Sequence, residues 1–269
     1  MFLGIGSYTW PWAVESYQQQ KQGMIYILKI LKQAALHDIH FVQLCDNLPL
    51  HELTAQERDM LKRTADENHI VIQAGTKRLT SDNLDRYISI AVQFKSPFIR
   101  MVIDDQGYHP EIEEIISMIK KALPSLKENN IILAIENHDR FSSAVLTQII
   151  EETSAESIGI CLDTANSLGA GEGIHEVVET LAPYAVNLHI KDIIIKRVSS
   201  KMGFAIEGAA AGQGILDIPW IVNELKKTGR CATATLESWS VKSDSFQGTV
   251  DKEHQGVETS IQYLKKILS

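Results

Sequence analysis

Apolar and polar positions follow two rhythms along this chain. Short aliphatic runs recur near Leu3–Gly6, Phe41–Cys45, Ile70–Ala74, Phe98–Ile103, Ile131–Glu136, Ile158–Asp163, Ala185–Ile190 and Ala232–Glu237. Each has the length of a buried strand, and most start roughly 30 residues after the last, the room a crossover helix needs between parallel strands. The segments between them carry a helical period. Met24–His37 places Ile25, Leu28, Leu31 and Ala35 at three- and four-residue spacing, which predicts a helix packed by that stripe. Ser81–Phe94 opens on a cap-like Ser-Asp-Asn and carries Leu84, Ile88, Ala91 and Val92. Pro110 is read as opening a helix over Glu111–Asn129, whose Glu111, Glu113 and Glu114 suit the positive end of the helix dipole. His254–Leu268 closes the chain with Val257, Ile261, Leu264 and Leu268.

Eight β-then-α units favour closure into an α/β (β/α)8 TIM barrel over an open doubly wound sheet. The 269 residues fit one such barrel, and no linker, charge run or low-complexity tract interrupts them, so 1–269 reads as a single domain. The longest excursion is Lys191–Asp217. It carries Lys191, Lys196, Arg197 and Lys201, then the Gly/Ala stretch Gly208–Gly214, and is expected to be a lid, a binding loop or a mobile insertion.

Composition narrows the partners. With 26 basic and 34 acidic side chains the net charge is −8, which speaks against a large basic footprint for nucleic acid or anionic membrane. Cys45, Cys161 and Cys231 each lie in or beside an apolar run, as expected of small buried hydrophobes in a reducing compartment. The opening MFLGIGSYTW has no basic stretch ahead of its apolar residues, so no secretory signal is expected. No apolar run approaches the length of a membrane span, and a cytoplasmic location is expected.

The candidate chemistry sits at four consecutive strand ends. The C-terminal ends of barrel strands line the mouth where such folds keep their active sites. Strands five to eight end there on Glu136 (ILAIENHD), Asp163 (GICLDTAN), His189 (VNLHIKD) and Glu237 (ATLESW). Three carboxylates and an imidazole in one mouth resist ionisation unless a cation sits among them. Oxygen-rich ligands with one histidine suit one divalent metal ion: Mn²⁺, Mg²⁺, Co²⁺ or Zn²⁺.

These residues resemble those of the xylose-isomerase-like TIM-barrel superfamily, the sugar phosphate isomerases and epimerases. The likeness spans essentially the whole chain. It is carried by E-N-H at Glu136–His138, L-D-T-A-N at Leu162–Asn166, H-I-K-D at His189–Asp192, G-Q-G-x-L-D at Gly212–Asp217 and L-E-S-W at Leu236–Trp239. The resemblance implies that Glu136, Asp163, His189 and Glu237 bind the metal, and that Glu136 and Glu237 act as acid and base. It implies isomerisation or epimerisation of a ketose, keto-sugar or sugar phosphate through a metal-stabilised enediolate. The inosose and dehydroshikimate dehydratases of the superfamily share the proton-abstraction half, so a dehydratase or lyase stays open as the alternative.

Further residues join the mouth by parity or proximity. His138 lies two beyond Glu136, and Lys191 two beyond His189, so both are candidates for contact with substrate oxygens. Trp10 and Trp12 follow the first strand and Trp239 the eighth; Trp10 and Trp239 are candidates for an apolar wall under a sugar. Asn166 is a further substrate-binding candidate, and it stands where the ketose 3-epimerase branch has a histidine. That branch also has an arginine soon after the metal-binding histidine, where this chain has only Arg197. Arg100, inside the fourth strand, is expected to point inward and pair with an acid. The endonuclease IV relatives hold three zinc ions with many histidines, whereas only His138 and His189 fall at strand ends here. A small-molecule sugar is the expected partner, with a homodimer or higher homo-oligomer compatible with aromatics at the mouth.

Overall fold

Each of the eight apolar runs forms a barrel strand in the computed structural model, which describes residues 1–20, 22–200 and 202–269. The strands are β1 (Phe2–Gly6), β2 (Phe41–Leu44), β3 (Val71–Lys77), β4 (Phe98–Val102), β5 (Ile132–Glu136), β6 (Ile158–Asp163), β7 (Ala185–Ile190) and, after the hairpin β8 (Asp192–Arg197) and β9 (Phe204–Ala209), β10 (Thr233–Leu236). All barrel pairings are parallel, and the wall closes in the order β1–β10–β7–β6–β5–β4–β3–β2. Around it run α1 (Pro11–Gln19), α2 (Gly23–Leu36), α3 (Ala55–Glu67), α4 (Ser81–Phe94), α5 (Ile112–Glu128), α6 (Ser143–Glu151), α7 (Ile174–Leu181), α8 (Ile218–Thr228) and α9 (Phe246–Leu268). The chain therefore forms a single (β/α)8 barrel. Among the described residues no helix is long and apolar enough to cross a membrane.

The helical stripes hold unevenly. In α9, Val257, Ile261, Leu264 and Leu268 are all buried, as their spacing predicts. In α2 the buried face is Tyr26, Ile27, Ile30, Leu31 and Ala34, while Ile25 and Ala35 face solvent. This segment is apolar on more than one face, so two stripes satisfy the period and only packing on the barrel selects between them. Val92 of α4 is likewise exposed. Pro110 stands outside α5, whose N-cap is Glu111 in a capping box with Glu114.

Lys191–Asp217 is a folded element. Six residue pairs, Asp192 opposite Ala209 through Arg197 opposite Phe204, form the antiparallel hairpin, with Lys196 ion-paired to Glu207. Lys201 lies outside the described residues. Asp192 ties the hairpin down: its carboxylate accepts from the backbone N–H groups of Ile193, Gly212, Gly214 and Leu216 at 2.8–3.2 Å. A Cβ on Gly214 would stand 2.0 Å from Asp192 Oδ1, which explains the glycine there.

The barrel interior is polar at several inward positions. Gln43, Gln73, Asn187, Thr233 and Thr235 are buried and hydrogen-bonded to one another across the lumen. A register shift between β6 and β7 at Ile160/Cys161 makes Asp163 the partner of His189. Paired residues of parallel strands share a face, so this shift sets both side chains into the same mouth.

Candidate metal and active site

Glu136, Asp163, His189 and Glu237 all reach the C-terminal mouth and are all buried. Glu136 and Asp163 end their strands, and Glu237 follows β10 with its N–H donating to Ile190 O at 3.0 Å. Asn137 of the E-N-H motif joins two of these ends: its Oδ1 accepts from Asp163 N at 2.6 Å and its Nδ2 donates to Asp163 O at 2.9 Å. The next turn fixes the Asp163 carboxylate, whose Oδ1 accepts from the N–H groups of Ala165 and Asn166 at 2.8 and 2.9 Å.

One potential ligand atom each from Asp163, His189 and Glu237 falls within 4.8 Å of the others, and Glu136, Cys161 and His189 form a second such group. His189 joins the two. Its Nδ1 lies 3.0 Å from Glu237 Oε1 and 3.2 Å from Glu136 Oε2. Asp163 Oδ2 and His189 Nδ1 are buried, and their close contacts are ionic, with Lys191 for the one and the two glutamates for the other. Oxygens of three carboxylates gathered with one imidazole nitrogen fit a hard or borderline divalent cation, which takes oxygen and imidazole ligands. Burial pushes the Cys161 thiol up to about 11.

Two basic side chains complete the cluster. Lys191 Nζ stands 2.7 Å from Asp163 Oδ2 and 3.2 Å from Glu237 Oε2. Arg100, inward from β4, donates through Nε to Glu136 Oε2 and through Nη1 to Asp46 Oδ1 at 3.0 Å. Asn166 bridges the halves, donating to Glu136 Oε1 at 2.8 Å and accepting from Lys191 Nζ at 3.0 Å. Burial alone would raise the glutamates; Arg100 and His189 instead hold Glu136 well below the usual carboxylate range, and His189 and Lys191 bring Glu237 to about 2. Asp163 is raised, by burial and by the two glutamates acting against Lys191. Burial would lower His189, but the surrounding groups, with Glu237 and Glu136 among them, hold it well above its usual value.

A cavity of about 1000 Å³ opens over the cluster. His138, Asn166, Lys191 and Trp239 line it together with Glu136 and Glu237. Trp10 does not: it is buried against His254 of α9, with ring centroids 6.2 Å apart. Trp12 takes the place expected for it, its indole N–H donating to Ser240 O at 2.8 Å. From α9, Glu253 fixes this corner by accepting from Trp12 N and Ala13 N at the start of α1. The sequence reading also passed over Tyr8, Gln43 and Asp46. Gln43 and Asn187 carried a usable signal, since each is polar inside an apolar run and at the same parity as inward residues.

The mouth is thus that of a closed parallel barrel whose successive strand ends bring together acids and an imidazole, a candidate metal-ligand group. Residues 31–267 match the model of the xylose isomerase-like TIM barrel family, and the chain belongs to that family. It is 28% identical over 264 residues to the 3-oxo-isoapionate decarboxylase of Pectobacterium atrosepticum, covering 98% of this chain and 95% of that one. A D-psicose 3-epimerase from Clostridium cellulolyticum H10, solved with D-tagatose, superposes with a TM-score of 0.73 at 12% identity over 100% of both chains. An IolI protein solved with a bound zinc atom gives 0.71 at 14% identity, again over 100% of both. At these identities the two structures bear on the fold alone.

Proposed function

We propose that this chain is a divalent-metal-dependent enzyme that forms an enediolate from a small keto-sugar acid, and that it is a lyase, a decarboxylase of a 3-oxo sugar acid. Glu136, Asp163, His189 and Glu237 would hold the ion. When bound, a divalent cation supplies Lewis acidity toward a carbonyl oxygen on which negative charge develops. In the reaction the bond from the α-carbon to the carboxylate breaks, its electron pair moves onto the carbonyl oxygen, carbon dioxide leaves, and one proton is returned to carbon. Lys191 brings a proton-bearing group to the cavity beside Glu237, and Trp12 and Trp239 offer apolar faces for the C–H side of the substrate.

The observation that carries the choice of lyase is the state of Glu136. Epimerisation by two carboxylates needs one to take a proton and another to return it. Glu136 accepts from Arg100 at Oε2 and from Asn166 at Oε1, contacts that leave lone pairs for an ion, while the Arg100 charge lowers its basicity. Decarboxylation of a 3-oxo acid needs no base, because the departing carboxylate leaves the electron pair behind. The full-length likeness to a decarboxylase supports the same reading. The second reading, isomerisation or epimerisation of a ketose, is favoured by the presence of Glu136 and Glu237 together in the cavity wall.

The test is to load the protein with Mn²⁺ or Co²⁺ and supply 3-oxo sugar acids and ketoses in D₂O. Carbon dioxide release with one deuterium in the product is expected, and EDTA should stop it. Reversible epimer formation from a ketose, with no carbon dioxide from any 3-oxo acid, would establish the second reading instead.

A further inference from the structure

Beneath His189 a chain of amide groups runs across the barrel, and its orientation is forced from one end. Thr233 O is a backbone carbonyl and only accepts, so the Asn187 group 3.1 Å away is the NH₂. That amide also reaches Thr233 Oγ1 at 2.8 Å and Thr235 Oγ1 at 3.3 Å. Asn187 Oδ1 then faces Gln43, so the Gln43 group 3.2 Å from it is the donor Nε2. Gln43 Oε1 therefore turns to His189 Nε2, 2.7 Å away, and the thiol of Cys45 donates to the same oxygen at 3.4 Å. Each of these side chains is buried, so no solvent molecule competes for their positions.

An amide oxygen accepts and cannot donate, so His189 Nε2 must carry a proton. Nδ1 is left for a cation, and it is the nitrogen that faces Glu237 and Glu136. We infer that Gln43 is a positioning residue for the metal site, fixing the His189 tautomer so that Nδ1 is the ligating nitrogen. Asn187 keeps Gln43 from flipping, and the selectivity originates in one backbone carbonyl on β10. A histidine ligand whose second nitrogen is so held is oriented and pre-paid in tautomer before the ion arrives. This inference rests on the metal reading of the site.

The test needs no variant in its first arm. Protein labelled with ¹⁵N-histidine and loaded with Zn²⁺ should show the His189 proton on Nε2 in long-range ¹H–¹⁵N spectra. In the second arm, Co²⁺ is titrated by its visible absorption. Gln43→Leu should weaken Co²⁺ binding about 10–100-fold, the range for loss of such outer partners. Gln43→Glu, which keeps an acceptor, should recover most of that loss. A proton on Nδ1 of Zn²⁺-loaded His189, or a folded Gln43→Leu protein with wild-type Co²⁺ affinity, overturns the inference and leaves the metal reading standing. Wild-type protein that takes up neither Zn²⁺ nor Co²⁺ overturns both. If Gln43→Leu does not fold, the wild-type tautomer decides.

Discussion

The two flanks of the acidic cluster are neutralised by cations of different kinds. Arg100 rises from the barrel wall, is buried, and forks between Glu136 and Asp46, whose other oxygen accepts from Tyr8 OH at 2.9 Å. Lys191 enters from beyond the end of β7 on a flexible four-carbon stem, remains partly exposed to the cavity, and serves Asp163 and Glu237. A guanidinium held in a fixed fork is a permanent structural charge, whereas an ammonium is a compact charge that can swing aside. Glu136 is therefore committed to a fixed cation beside any ion it helps to hold, and the Asp163–Glu237 flank is the one able to exchange one cation for another. Four acidic or imidazole groups of similar sequence context thus have unequal chemical freedom.

The largest effect should fall on the free flank. Glu237→Gln removes a proposed ligand and the charge that holds the proton-bearing Lys191, and is expected to retain the fold by circular dichroism while lowering turnover about 10²–10⁴-fold, the usual scale for a lost proton-transfer arrangement. Unchanged turnover would remove Glu237 from that role. The same variant has a pH signature. Glu237 is depressed to about 2, so its stabilising contribution is present above the ordinary carboxylate value and fades as pH falls toward 2. The stability gap between wild type and Glu237→Gln, measured by denaturant titration, should therefore close on acidification. A gap that widens toward pH 2 would contradict the assignment.

On the committed flank the loss should appear as stability. Arg100→Met leaves buried Glu136 and half-buried Asp46 without their shared cation, and breaking a buried pair costs about 3–5 kcal/mol. Urea unfolding reads this directly. A loss below about 1 kcal/mol would mean that Arg100 and Lys191 do not differ in the way described.

Much of this was legible in the residues. The strand ends at Glu136 and Asp163 follow from apolar runs that stop on a polar group, His189 falls one residue short of the end of β7, and the inward aim of Arg100 follows from its place within such a run. Three things were hidden for physical reasons. The stripe of α2 is ambiguous because the helix is apolar on two faces, and Trp10 and Trp12 differ in fate only through the turn into α1. The folding of Lys191–Asp217 into a hairpin depends on Asp192 gathering the distant N–H groups of Gly212, Gly214 and Leu216, a contact that local periodicity cannot register. Gln43 and Asn187 were visible as polar breaks in apolar runs, but their meaning requires the facing strand across the barrel.

Lys191→Met separates the flanks more gently. It should destabilise metal-free protein by about 1–3 kcal/mol, the cost of leaving buried charged groups unsatisfied, with added Mn²⁺ returning the loss. Arg100→Met should be returned only in part, because of its two partners Glu136 is a proposed ligand and Asp46 is not. Equal rescue of both variants would erase the distinction between a fixed and an exchangeable charge.

The smallest and most discriminating change is at Asn166, whose amide touches both flanks, Glu136 through Nδ2 and Lys191 through Oδ1. Asn166→Ala alone should cost about 1 kcal/mol, the net worth of an ordinary hydrogen bond with some allowance for charge. Its larger consequence concerns coupling. With Asn166 in place, Arg100→Met and Lys191→Met share a hydrogen-bonded network, so their destabilisations should depart from additivity by about 0.5–3 kcal/mol. In the Asn166→Ala background the same pair should become nearly additive. Coupling that survives the loss of Asn166 would mean the two cations sense each other through the carboxylates themselves, and the flanks would then be one electrostatic unit.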